Sequence, residues 1–116
     1  MNLPSSILSF LLLLPFIVSA KIDFVHLVMP ILKKNCAECH TDEKKKGGLS
    51  MNTRAEFLAG GENGKMAVPG DIEASWFLEL VESDDLDERM PPKGPGVSPE
   101  QFKILHQWVE EGMVWE

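Results

Sequence analysis

Hydrophobic residues recur at helical spacing in several stretches of this chain, and no stretch alternates with the period of two that marks a strand. Residues 23–35 predict a helix capped by Asp23, in which Pro30 produces a kink or begins a second short helical stretch. Residues 53–59 predict a short helix. Together these patterns favour an all-α fold.

Two more helices follow in the second half of the chain. An amphipathic helix is predicted over about 72–82, with Asp71 as its N-cap. The last helix has the clearest pattern, because Ser98 caps it, Pro99 takes its first position and Gln101 completes a capping box. Its predicted end is Gly112, and its buried stripe comprises Phe102, Leu105, Trp108 and Val109, with Trp115 expected to fold back as a further apolar contact.

The first twenty residues differ from the rest. Residues 1–20 contain no charged side chain and end in the small-x-small pattern Val18-Ser19-Ala20. Their apolar run is shorter than the roughly 18 to 20 residues that cross a bilayer, and Pro15 interrupts it. We therefore predict a signal peptide over 1–20 and one exported domain over 21–116, without stable membrane insertion after cleavage. An uncleaved membrane anchor is the alternative.

Charge limits the possible partners. The formal net charge of −7 falls wholly on residues 21–116. Binding of nucleic acid is not expected, because phosphate recognition calls for a basic face. Export to the periplasm or beyond also places the domain where disulfides persist.

The two cysteines belong to the motif Cys36-Ala37-Glu38-Cys39-His40, which is the signature of covalent haem attachment. Two thiols one helical turn apart can add to the two vinyl groups of one porphyrin, and His40 can then bind the iron axially. A redox cysteine pair and a structural zinc site are the alternatives. The first normally lies in a βαβ unit, and the second needs another pair of ligands nearby.

A second axial ligand is sought among the later methionines. Met90 lies in Arg89-Met90-Pro91-Pro92, where the prolines stiffen the chain and hold one thioether in place. A thioether opposite an imidazole raises the reduction potential. The alternatives for the second ligand are Met66, a histidine or an open position. Met51 and Met113 are predicted to be packing residues.

These residues predict short helices around one covalent haem c. The function expected is transfer of single electrons between redox proteins, without substrate chemistry of its own. The alternative is a haem sensor or a peroxidase-like protein from whose iron Met90 dissociates. Acidic residues between Glu79 and Glu88 and lysines around the haem motif predict a charge asymmetry that steers redox partners.

An ordered set of motifs carries a resemblance to a known family. The set comprises Pro30-Ile31-Leu32, the haem motif, Gly47-Gly48-Leu49, Gly60-Gly61, Val68-Pro69-Gly70-Asp71, Arg89-Met90-Pro91-Pro92-Lys93, and Trp108-Val109-Glu110-Glu111-Gly112 with Trp115. The chain resembles class I cytochromes c and, more narrowly, the planctomycete-type cytochrome c domain. The resemblance implies a mono-haem fold with Cys36 and Cys39 as attachment points, His40 as proximal ligand and Met90 as distal ligand.

Supporting roles are also expected around the haem. The loop Gly47-Gly48-Leu49 is placed to offer a carbonyl to the second imidazole nitrogen. Arg54 or Arg89 is a candidate for binding a haem propionate, with surface ion pairing as the alternative. Trp76 and Trp108 are predicted to be core residues.

Overall fold

The computed structural model describes residues 21–40 and 44–116, and the predicted signal peptide lies outside them. The described chain begins with a π-helical turn, Phe24–Val28, which runs into helix α1, Met29–Asn35. The Asp23 carboxylate accepts a hydrogen bond from the His26 amide at 3.1 Å, as its predicted capping role requires. Pro30 lies in the first turn of α1, so it begins a second helical stretch.

Four more helices follow along the chain. They are α2, Ala37–His40; α3, Arg54–Ala59; α4, Trp76–Glu82; and α5, Pro99–Glu110. A two-residue extended segment, Lys44–Lys45, and a 3-10 turn, Lys46–Gly48, join α2 to the segment before α3. The predicted all-α class is confirmed. None of the helices described is long and apolar enough to cross a membrane.

The predicted helix over 72–82 begins later than expected. Residues 72–74 form a turn, Ser75 is the N-cap, and α4 starts only at Trp76. The cause is Ser75, whose buried hydroxyl donates to the Asp71 carbonyl at 2.7 Å and accepts from the Val68 amide at 2.9 Å. A serine hydroxyl that bonds the local backbone competes with helix formation. Asp71 still caps a turn, by accepting from the Ala74 amide.

Helix α5 has the predicted ends. The capping box between Ser98 and Gln101 is present, and Gly112 has the positive φ of 100° that lets the chain turn away after the helix. Trp115 folds back and stacks on Phe24 with ring centroids 4.5 Å apart. The C-terminal segment is therefore packed on the first helical turn of the domain.

Among the residues that the structure describes, one hydrophobic core joins the first turn and α1 to α3, α4 and α5. Its buried members are Phe24, Val28, Ile31, Leu32, Phe57, Ala67, Phe77, Leu78, Val81, Leu105, Trp108, Val109 and Met113. The predicted packing roles of Trp108 and Met113 are confirmed. One side of α4 faces this core, and other residues of the same helix face the candidate site.

Two glycine-rich loops meet backbone to backbone beside α2. The Glu62 amide donates to the Gly47 carbonyl at 2.6 Å. A Cβ atom at Gly61 would collide with that carbonyl oxygen, so the close approach of the two loops requires glycine there. Gly47 and Gly61 form part of the wall of the candidate site that is described below, as does His40.

Candidate haem site

The haem motif folds as one helical turn. Helix α1 ends at Asn35, Cys36 leaves helical geometry with φ −125° and ψ −37°, and α2 starts at once with Ala37. The amides of Cys39 and His40 both donate to the Cys36 carbonyl, at 3.2 and 3.1 Å. The two thiols and the imidazole are thereby held on a single turn, as the spacing of the motif predicts.

This turn forms one wall of a cavity of about 660 Å³. That volume lies within the range of about 300 to 1,000 Å³ typical of cofactor sites. Cys36, Cys39 and His40 line the cavity together with Met90, although Met90 lies far along the chain. Apolar side chains complete much of the wall: Leu49, Met51, Met66, Trp76, Phe77, Leu80 and Val81, with Pro91, Pro92 and Pro95.

The His40 side chain is buried against the loop that follows it. Burial lowers the pKa of His40, while the neighbouring backbone groups of Leu49 and Lys46 act in the opposite direction. Its Nδ1 atom is buried without a hydrogen-bond partner of good geometry in the part of the chain that the structure describes. The backbone groups that act on the imidazole are thus those of Lys46 and Leu49, and Leu49 belongs to the loop that was predicted to do so.

Cys36 and Cys39 are both free thiols, and both are half-buried. Burial raises the pKa of the Cys36 thiol to about 12, and the nearby charge of Cys39 adds to the rise. The pair is therefore not a disulfide, and Cys36 carries its proton at neutral pH.

Three methionines reach the cavity, and their surroundings differ. Met51 and Met66 pack against the hydrophobic core, which accounts for them without a ligand role. Met90 is 37% exposed and is not among the residues packed on that core. Its amide donates to the Leu80 carbonyl at 2.9 Å, which ties the Met90 backbone to α4. The Met90–Pro91 peptide bond is cis.

The two arginines have other partners than those predicted. Arg54 donates to the carbonyls of Met113 at 2.9 Å and Gly112 at 3.1 Å, and it does not line the cavity. Its predicted propionate role is therefore wrong, because its guanidinium is committed to the chain after α5. Arg89 donates to the carbonyls of Pro91 and Gly94 and does not line the cavity. Within residues 21–40 and 44–116 it forms no ion pair.

Trp76 was predicted to be a core residue, but it is half-buried, lines the cavity and is not among the residues of the hydrophobic core. Phe77, Leu80 and Val81 of the same helix are buried and also line the cavity. Helical spacing identifies the apolar face of α4, but the same spacing serves a core and a cofactor wall equally well. No feature of the sequence separates the two uses.

The residues present fit a covalently bound haem. The cavity offers two thiols on one turn, a buried imidazole with an unsatisfied nitrogen, a thioether and an apolar wall, which is the ligand chemistry of a c-type site. The described residues contain no group of three or more His, Cys, Asp or Glu side chains arranged to hold a metal ion, so the zinc alternative gains no support.

Comparison with known proteins identifies the family. The planctomycete cytochrome C family matches residues 36–94, which is just over half of the chain. The match includes Cys36, Cys39, His40 and Met90. No curated protein and no solved structure matches the chain. Membership in this family implies haem c and an electron-carrying function. On the residues matched, the chain belongs to the planctomycete cytochrome C family.

Proposed function

We propose that the chain is an exported mono-haem c-type cytochrome that passes single electrons between redox proteins. In this proposal Cys36 and Cys39 hold the porphyrin covalently, and His40 and Met90 are the axial ligands of the iron. The observation that carries the proposal is that Met90 lines the same cavity as the turn of Cys36, Cys39 and His40, although it lies fifty residues further along the chain.

His40, Met90 and the apolar wall each have a separate role in the proposed function. A haem bound in this cavity supplies reversible one-electron chemistry at its iron. The buried imidazole of His40 has a lowered pKa, which keeps a nitrogen lone pair available as a ligand. The Met90 thioether, a neutral and polarisable ligand, favours the reduced iron and raises the potential. The apolar wall excludes water and lowers the local dielectric, which also raises the potential.

No step of this function makes or breaks a substrate bond. An electron carrier of this kind keeps both ligands while a partner docks near the cofactor, so we propose that the protein is not an enzyme. The partners are a redox donor and a redox acceptor.

We propose that charge helps these partners to dock. Acidic residues surround a shallow depression beside Trp76 and Leu80, two residues that also line the haem cavity: Glu79, Glu82, Asp84 and Glu88. We call these four residues the acidic rim. Charged rims steer encounter and speed association more than they tighten a complex. The rim fits a partner with a cationic docking face.

A haem sensor or a peroxidase-like protein is the second candidate function. Among the three methionines that line the cavity, Met90 does not pack on the hydrophobic core, so core packing does not hold its side chain in place. In such a protein Met90 would leave the iron and a small ligand would bind there.

The visible spectrum tests the electron-carrier proposal. We expect a six-coordinate low-spin c-type spectrum in the reduced protein and a weak thioether-to-iron band in the oxidised protein. Slow carbon monoxide binding is also expected, because both axial positions are filled. High-spin features with rapid carbon monoxide binding would instead favour the sensor or peroxidase function, and a colourless protein would exclude both.

A further inference from the structure

The Arg89 side chain lies behind the Met90 loop, which we define as residues 90–96. Its Nε donates to the Pro91 carbonyl at 3.1 Å, and its Nη2 donates to the Gly94 carbonyl at 2.7 Å. The guanidinium also lies against Gly96, where an added Cβ would be 3.6 Å from Cζ. The loop therefore bends around one planar cation.

The loop and the arginine lie on different sides of the cavity wall. Met90 and all six residues that follow it in the loop line the cavity, whereas Arg89 does not. Arg89 is thus placed to act on the ligand through the loop, without contacting a cofactor.

The loop has few other attachments. The Met90 amide is bonded to Leu80, and the Arg89 amide is bonded to the Asp85 carbonyl at 2.7 Å. In the described part of the chain, no backbone-to-backbone hydrogen bond joins residues 91–96 to the fold. Pro91, Pro92 and Pro95 have no N–H to donate, so half of the residues from 91 to 96 cannot bond a carbonyl through their own amides. Arg89 supplies two protein donors to this loop.

We propose that Arg89 is a positioning residue that holds the Met90 thioether on the haem iron by binding the carbonyls of Pro91 and Gly94. This inference rests on the proposed His40–Met90 ligation. The guanidinium is suited to the task because its rigid fork donates in two directions at once. Lysine carries the same charge but offers a single ammonium on a flexible stem, and glutamine carries no charge.

The test compares three variants of the haem-loaded protein. Arg89→Gln removes both charged hydrogen bonds from the loop. Arg89→Lys keeps the positive charge but loses the planar guanidinium that donates in two directions. Arg54→Gln is the matched control, because Arg54 also donates to two backbone carbonyls but lies away from the cavity.

We expect Arg89→Gln to lose most of the thioether-to-iron band, lower the reduction potential and bind carbon monoxide at least about tenfold faster, because each hydrogen bond to a charged group is worth at least about a tenfold change in an equilibrium. Arg54→Gln should lower thermal stability and leave the band, the potential and carbon monoxide binding unchanged.

Arg89→Lys keeps the test decisive if Arg89→Gln does not fold. It should show an intermediate rate of carbon monoxide binding. A wild-type rate in Arg89→Lys, or an unchanged band and potential in a folded Arg89→Gln, would overturn the positioning role and leave Met90 ligation standing. Absence of the thioether band in the wild type would overturn Met90 ligation itself, and the positioning role with it.

Discussion

The Met90 amide is hydrogen-bonded to the Leu80 carbonyl at 2.9 Å, so the proposed distal ligand is fixed to the helix whose side chains line the cavity. Leu80 of that helix belongs to the cavity wall, and Phe77 and Val81 belong both to the wall and to the hydrophobic core. The position of the thioether is therefore linked to the packing of the domain. Loss of core packing around α4 is expected to disturb iron ligation as well as stability.

Replacement of Met90 tests the choice of ligand. Met90→Ala should abolish the thioether-to-iron band and lower the reduction potential, because the iron loses the ligand that favours its reduced form. Absorption spectroscopy and redox titration measure the two effects.

Met66→Leu is the matched control for that substitution. Met66 also lines the cavity but packs against the core, so leucine should preserve its packing and leave the band in place. Loss of the band in Met66→Leu together with its survival in Met90→Ala would reassign the distal ligand to Met66.

The haem-free chain is expected to be largely disordered. A domain of about a hundred residues buries a small core, and without the cofactor the ordering of the chain costs more than that core returns. Cys36→Ala/Cys39→Ala protein should therefore show little cooperative melting by circular dichroism. A compact chain with a sharp melting transition would contradict this expectation.

Alkylation of Cys36 gives an independent measure of the same disorder. In the folded chain burial raises the Cys36 pKa from 9.0 to about 12. A rise of this size lowers the thiolate fraction near neutral pH by roughly a thousandfold. In haem-free Cys39→Ala protein, we expect iodoacetamide to modify Cys36 at the rate of an unfolded peptide thiol. Strongly suppressed alkylation would reveal a folded haem-free chain.

A contact between the two ends of the domain predicts a dependence of stability on pH. The Glu111 carboxylate accepts from the Ile22 amide at 2.6 Å, and this bond, with a second from Gln107, lowers the Glu111 pKa below its ordinary value of 4.5. The ionised carboxylate therefore stabilises the fold above about pH 4.5, and its contribution is lost as the pH falls through the lowered pKa.

Thermal melts of a Glu111→Ala variant measure this contribution. The variant should be less stable than the wild type at pH 7, and the difference should shrink as the pH falls below 4.5. Glu116→Ala removes an exposed carboxylate near the same end of the chain and serves as the control. A stability difference for Glu111→Ala that is constant from pH 7 to pH 3 would contradict the assignment.

Docking through the acidic rim predicts a salt effect. Electron exchange with a cationic redox partner should slow as ionic strength rises, because screening weakens attraction between exposed charges. Stopped-flow measurement of the rate against salt concentration tests this. Glu79→Gln/Glu82→Gln should flatten the dependence, while Glu100→Gln, which lies in α5 and does not border the rim, should leave it intact. A rate independent of salt would exclude docking by charge.

The sequence predicted the parts of the fold that depend on contacts between residues close together in the chain. The capping box at Ser98 and the turn at Gly112 are formed because their side chains and backbone bond within a few residues. The start of α4 was wrong, because the Ser75 hydroxyl bonds the backbone of a turn seven residues earlier. A contact of that kind has no local signature in the pattern of apolar residues.

In the candidate site, too, local features were predicted and contacts between distant residues were not. The spacing of the haem motif predicted that Cys36, Cys39 and His40 share one turn, and the structure places them on one turn that lines the cavity. Their roles toward a haem stay a prediction. The contacts of Arg89 were not predicted, because the carbonyls it binds belong to the backbone of the loop rather than to side chains that a sequence displays. The role of Arg54 was wrong for a similar reason, since its partners lie at the far end of the chain.

The central claim is that Cys36 and Cys39 carry a covalently attached porphyrin. Mass spectrometry of the denatured protein, purified from a host able to mature c-type cytochromes, tests it most directly. We predict a mass above that of the polypeptide by one haem, and a peptide containing both cysteines that carries the whole of this addition. A mass equal to the polypeptide alone, with two reactive thiols, would contradict the account.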